Sequence, residues 1–197
     1  MMLSILIPTI SNRKEMLYSL LSEFEAQIGG DLRITIGDIK RYIFSDIEIL
    51  IDKDEDLCLG AKRNRLLQAA DGKYVCFFDD DDFPKSDYIS TIRTALEAKP
   101  DVVSLRGIMT TNGENPEIFE HSLKYNEWKT TDNFVKYERY PNHLNCMRAD
   151  IAKQFKFPSK NFGEDHDWSK QVHESGLLKK EYYTEKILYH YRFISNK

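Results

Sequence analysis

Apolar residues fall along this chain in two alternating rhythms. Leu3-Ser4-Ile5-Leu6-Ile7 is a short, nearly continuous apolar run with two β-branched isoleucines, stopped by Pro8. That is the signature of a buried strand in a mostly parallel sheet. From Arg13 to Ile28, Met16, Leu17, Leu20, Leu21, Phe24 and Ile28 recur at helical spacing, and Gly29-Gly30 ends the amphipathic helix they predict. A second buried strand spans Ile47 to Ile51, a helix about Ala61 to Ala70, and a strand Tyr74 to Phe78. Ser86 or Asp87 caps a helix running to about Ala98, and Val102 to Leu105 is a fourth strand. Strands and helices in this order predict a parallel sheet flanked by helices. Between them, Leu32 to Ile36 alternates like an edge strand, and Ile39 to Phe44 fits either type.

The second half is less regular. Asn112-Gly113-Glu114-Asn115-Pro116 predicts a turn, and Glu117 to Tyr140 mixes aromatic and polar residues without a firm period. Helices are expected over Asp150 to Gln154 and from Glu164 to Glu174, and Tyr182 to Phe193 is aromatic and strand-like. With neither repeat nor low-complexity tract, the 197 residues suffice for a single domain.

Charge and composition narrow the class. Lys+Arg 28 against Asp+Glu 32 gives a formal charge of −4, so no global basic field recruits nucleic acid or an anionic membrane. No apolar run approaches the ~20 residues of a membrane span, and the apolar start lacks the basic region of a signal peptide. Cys58, Cys76 and Cys146 are odd in number and widely spaced, which suits neither a disulfide framework nor a zinc site. A soluble, cytoplasmic domain is expected.

Candidate chemistry gathers at the ends of the predicted strands, where open α/β sheets bind ligands. Phe77-Phe78 runs into Asp79-Asp80-Asp81-Asp82, consecutive carboxylates that require a cation, hydrogen-bond donors or solvation. Asp79 and Asp81 can share one hard divalent ion with phosphate oxygens; a solvated acidic turn before the next helix is the alternative. In Asn161-Phe162-Gly163-Glu164-Asp165, the acids either cap a helix or present a general base to a cleft. Leu59-Gly60-Ala61-Lys62-Arg63-Asn64-Arg65 places cations at a helix start, which suits a diphosphate, with Arg65 expected as a surface cation. Asp52, at a strand end, can accept from a nucleobase N–H. His190, within Tyr189-His190-Tyr191-Arg192, is either structural or an additional metal or phosphate contact.

The order of these features, Pro8-Thr9, Asp52, Gly60 to Asn64, Asp79 to Asp82 and Gly163-Glu164-Asp165, resembles family 2 glycosyltransferases of the GT-A fold. The resemblance spans about Leu3 to Arg192 and is most specific from Gly60-Ala61-Lys62-Arg63-Asn64 through Phe78-Asp79-Asp80-Asp81-Asp82. It implies a mostly parallel central sheet flanked by helices, with a Rossmann-like nucleotide-binding half over about 1–108. A smaller acceptor and catalytic-base half would cover about 109–197. It further implies inverting, metal-dependent transfer of a sugar from a UDP-sugar to a saccharide or glycan hydroxyl. The DxD motif of the family falls on Asp79-Asp80-Asp81, with Mn²⁺ or Mg²⁺ on Asp81, helped by Asp79 and His190. Pro8, Thr9, Arg13, Asp52, Lys62, Arg63, Asp79 and Asp80 fall at donor-binding positions, Asp165 at the general base and Glu164 beside it. Trp128, Tyr137 and Trp168 are candidates to stack on sugar faces. The family's aspartate pair followed by a small residue and serine here reads Asp52-Lys53-Asp54-Glu55. Two rival readings are a non-catalytic nucleotide-sugar-binding module and a sugar-phosphate nucleotidyltransferase. The latter normally carries a glycine-rich loop where this chain has Pro8-Thr9-Ile10-Ser11-Asn12-Arg13.

Overall fold

A computed structural model describes residues 1–29, 33–35 and 37–195. Gly30, Leu32 and Ile36, used above for a helix end and an edge strand, lie outside the described residues. In chain order the elements begin with β1 (Leu3–Pro8), a 3-10 turn at Ser11–Arg13 and α1 (Lys14–Ile28). Next come β2 (Arg33–Thr35), β3 (Lys40–Ile43), β4 (Ile47–Asp52) and α2 (Leu59–Ala69). β5 (Tyr74–Phe77), β6 (Phe83–Pro84), α3 (Tyr88–Glu97), β7 (Val102–Val103), β8 (Leu105–Thr111) and β9 (Glu114–His121) follow. The chain closes with β10 (Lys129–Thr130), β11 (Val135–Arg139), β12 (Met147–Arg148), α4 (Ala149–Ala152), α5 (Glu164–Ser175), β13 (Glu181–Tyr182) and β14 (Ile187–Phe193).

Among the described residues two sheets form, one ordered β13-β7-β12-β5-β1-β4-β3-β2 and the other β10-β11-β9-β8-β14-β6. β1 pairs in parallel with both β4 and β5, and these three strands are buried throughout. Their flanks are antiparallel through β3 and β12, so the first sheet is mixed, with its parallel pairing at the centre and at β13-β7. Alternation along β1 explains the layers. Ile5 and Ile7 share one core with Leu20 and Phe24 of α1 and Ile92 of α3, while Leu6 joins Leu66 of α2 and Trp168 of α5 on the other face. Period-2 strands thus receive period-3.6 helices on both faces. Glu48 is fully buried in β4 because Ser4 Oγ, the Asp71 backbone N–H and Arg41 all donate to it.

The second sheet is what hydrophobic period alone does not reveal. The expected Val102 to Leu105 strand divides at Ser104, with β7 in the first sheet and β8 in the second. Tyr182 to Phe193 likewise divides into β13 and β14. The turn over Asn112 to Pro116 narrows to Asn112-Gly113, both at positive φ, and Glu114 to Pro116 already belong to β9. Immediately after the acidic run, β6 pairs with Tyr189 and His190 of β14, which brings that strand against the ends of β1 and β5. No helix among the described residues is long and apolar enough to cross a membrane.

Candidate active site

Pro8 of β1 sits opposite Asp52 of β4, and Leu6 opposite Phe77 of β5, so these strands end together. Side chains following them converge on one edge of the sheet. α2 and α5 are then drawn to the same edge by close backbone contact. A Cβ at Gly60 would lie 1.9 Å from the Pro158 carbonyl oxygen, and the Gly60 N–H donates to the Lys160 carbonyl at 3.1 Å. Only glycine admits that approach. One turn later the Asn64 side chain mimics a strand, donating to the Phe157 carbonyl at 2.8 Å and accepting from its N–H at 2.9 Å. Gly163, at φ +70°, then turns the chain into α5, and Glu164 and Asp165 open that helix beside α2.

The four aspartates occupy four different environments. Asp80 is buried, accepting from Thr9 Oγ1 at 2.6 Å and Arg13 Nη1 at 2.7 Å. Burial raises its carboxyl above the usual range, against the pull of Thr9 and Arg13. Asp82 is fully buried, accepting from the Tyr189 hydroxyl at 2.7 Å and the Arg192 backbone N–H at 2.8 Å. Burial, reinforced by Asp79, raises it well above its ordinary value. Asp80 and Asp82 therefore tie the acidic loop to β1 and β14. Asp79 and Asp81 keep 27% and 19% of their side chains exposed and line a cavity of about 440 Å³ with Arg13, Arg63, Glu164 and Asp165. Asp81 lies 3.2 Å from Arg13.

Arg63 is the hub. Its Nη2 donates to Asp79 at 2.9 Å and its Nε to Glu164 at 3.1 Å, while its guanidinium lies 5.2 Å from the centre of the Phe77 ring. Burial works against its charge, but Asp79 and Glu164 together hold its proton more tightly than usual. Glu164 is itself pushed up by burial and drawn down by Arg63. Lys62 Nζ donates to the Thr9 carbonyl at 2.7 Å, pinning the loop after β1.

Asp165 remains 31% exposed and lines a second cavity of about 440 Å³ as well. Asp79 and Tyr191 border both cavities. The second is walled by Trp128, Tyr137, Arg139, His121 and His143. His143 is fully buried, with neither ring nitrogen hydrogen-bonded, and its Nδ1 is 3.8 Å from Asp165 Oδ2. Burial, together with nearby Arg63, keeps it well below its ordinary pKa despite Asp165, so it is neutral. His121 is pushed down to about 3 by burial.

Several expectations are corrected by this geometry. Asp52 is fully buried, and Arg65 grips both its oxygens, at 2.6 and 2.5 Å. Arg65 is therefore a structural partner rather than a surface cation. Asp52 is held by Arg65, and Arg63 by Asp79 and Glu164. His190 bonds Thr110 at 3.0 Å and alternates with Tyr189 and Tyr191, which puts it on the strand face away from the aspartates. Trp168 is core, stacked on Phe157 at 4.8 Å. Tyr189 and Tyr191 of β14, His121, His143 and Arg139 were not singled out from the sequence. Period 2 in Tyr189-His190-Tyr191 was the available signal for the tyrosines.

A metal is compatible with part of this arrangement. Among the described residues no group of three or more His, Cys, Asp or Glu is arranged to hold an ion. A cage built from protein alone is thus not supported. A hard divalent ion that takes one or two carboxylates and completes its shell with phosphate oxygens and water does fit Asp79 and Asp81 on the cavity.

The description "Glycosyl transferase family 2" matches residues 4–155, most of the chain. This chain belongs to glycosyl transferase family 2. Glu164 and Asp165 lie beyond the matched segment. Glycosyltransferase GlyA of Streptococcus pneumoniae serotype 4 is 27% identical over 171 residues, covering 79% of this chain and 24% of that protein. In architecture the chain is similar to S. aureus TarS 1–349, with a TM-score of 0.67 and 15% identity, covering 98% of this chain and 60% of that one. Against TarS 1–349 in complex with UDP-GlcNAc the TM-score is 0.69, again at 15% identity, covering 100% and 60%. The chain thus spans about a quarter of the curated relative, and the likeness to TarS establishes the GT-A type of α/β fold.

Proposed function

We propose that this domain transfers a sugar from a UDP-sugar to an acceptor hydroxyl, with inversion at the anomeric carbon. The observation that carries the reading is the pair of adjoining cavities that share Asp79 and have Asp165 on both walls. One is lined by carboxylates and arginines, the other by aromatic rings. Residues 1–108 would hold the donor, and residues 109–197 would supply the acceptor wall and the base. UDP is chosen because the similar TarS structures are described in complex with UDP and UDP-GlcNAc.

Asp81 and Asp79 would hold Mn²⁺ or Mg²⁺, which when bound neutralises the diphosphate and makes it a better leaving group. Pro8 and Arg13 line the cavity proposed for the diphosphate. Thr9 and Lys62 act one step back, fixing Asp80 and the loop after β1. In the transfer, the acceptor oxygen attacks the anomeric carbon, the carbon–oxygen bond to the diphosphate breaks, and the acceptor proton passes to the Asp165 carboxylate. Glu164 is committed to Arg63 and serves to position it.

The test is a screen of nucleotide-sugars with Mn²⁺, Mg²⁺ or EDTA, scoring nucleotide release and the product's anomeric configuration by NMR. Metal-dependent release of UDP with inversion is expected. Retention of configuration, or equal release in EDTA, would overturn the mechanism. A nucleotidyltransferase would instead release pyrophosphate only when given a nucleoside triphosphate and a sugar phosphate, and a binding module would release nothing in either assay.

A further inference from the structure

Arg139 ends β11 and lines the aromatic cavity together with Trp128, Tyr137 and Asp165. Its guanidinium lies 5.3 Å from the centre of the Trp128 ring and 5.5 Å from that of Tyr137. Nη1 donates to the carbonyls of Lys129 at 2.5 Å and Glu138 at 2.9 Å. Those bonds leave the Nε–Nη2 edge, the fork that matches a carboxylate or phosphate. Other half-buried arginines, Arg41, Arg65 and Arg93, each hold a carboxylate. Arg139 has no carboxylate within ion-pair distance among the described residues. Burial without a counter-charge loosens its proton, with only Tyr137 opposing.

The surroundings are also short of partners. The Trp128 indole N–H and His121 Nδ1 are buried without hydrogen bonds. Buried polar groups are normally satisfied, so such a cluster bordering a cavity indicates a polar ligand. A cation left without a counter-charge beside stacking rings adds that the ligand is negatively charged.

We propose that the saccharide held in this cavity carries a carboxylate or phosphate, bound by Arg139 between Trp128 and Tyr137. The proposal rests on the glycosyl-transfer reading and narrows its substrate class. The acidic group can belong to the transferred sugar, as a uronate, or to the acceptor.

Calorimetry with matched pairs separates these sources. The pairs are UDP-glucuronate against UDP-glucose with Mn²⁺, methyl β-glucuronide against methyl β-glucoside, and glycerol 3-phosphate against glycerol. In at least one pair the charged member should bind about tenfold or more tightly. Arg139→Gln lacks both the charge and the fork, and should lose that preference. Arg139→Lys, which keeps the charge without the fork, should retain part of it. Equal binding within every wild-type pair would overturn the proposal, as would a preference that survives in both variants. The glycoside and glycerol arms need no donor. Failure of UDP to bind would therefore count against the glycosyl-transfer reading, and equal binding within pairs against the anion site.

Discussion

Replacing Arg63 by methionine tests whether the buried cation holds this site together. Arg63 and Glu164 are each only 3% exposed, and Arg63 Nε lies 3.1 Å from Glu164 while Nη2 lies 2.9 Å from Asp79. Methionine keeps an apolar stem and removes the charge, the fork and the guanidinium that lies over Phe77. It leaves Glu164 buried without a cation, which typically costs about 3–5 kcal/mol. With a urea slope of roughly 2 kcal/mol/M, the unfolding midpoint should fall by about 1.5–2.5 M. The loss should also depend on pH in one direction. Burial already raises the Glu164 carboxyl and Arg63 opposes that rise, so the variant raises it further. A folded-state pKa above the unfolded one means that the folded protein binds more protons between the two values. Stability is therefore regained as pH falls through the folded pKa toward the unfolded one. The gap between Arg63→Met and wild type should narrow from pH 8 to pH 5, and adding Glu164→Gln should recover much of it at pH 8. A loss below about 1 kcal/mol, or a gap constant across that range, would refute the argument.

Other outcomes are expected with smaller arguments. Asp165→Asn should cut transfer by at least ~100-fold while leaving UDP–Mn²⁺ affinity near wild type in calorimetry; retained turnover would remove Asp165 from the base role. Asp81→Asn should weaken Mn²⁺-dependent UDP binding by about tenfold or more; wild-type UDP affinity that is equal in EDTA and Mn²⁺ would exclude a metal there. Gly60→Ala should lower the thermal midpoint, since its new methyl meets the Pro158 carbonyl at 1.9 Å and forces α2 from the loop before α5, at roughly 1–3 kcal/mol. An unchanged midpoint would show that this approach is not required.

Strands β1, β4 and β5 were legible because each is buried on both faces and so reads as a nearly continuous apolar run bounded by Pro8, Asp52 or the acidic loop. Helix α1 followed from its stripe of Leu, Ile and Phe, and α3 from the cap offered by Ser86 or Asp87. The position of the acidic run at a strand end was also local information, and it was enough to mark the edge of the sheet where the site lies. Sequence did not assign the four aspartates their separate tasks. Asp80 and Asp82 are drawn inward by Thr9, Arg13, Tyr189 and Arg192, which lie more than sixty residues away in sequence. Asp52 offered the same difficulty: a carboxylate at a strand end looks available until Arg65 closes on it across the first turns of α2. The aromatic cavity was out of reach for the same reason, since β8, β9, β11 and β14 contribute half-buried residues whose periods are broken by bulges and sheet changes. Hydrophobic burial acts on each segment by itself and leaves its period in the sequence. The pairing of charges and the closing of a cavity are relations between distant segments, and only the folded chain decides them.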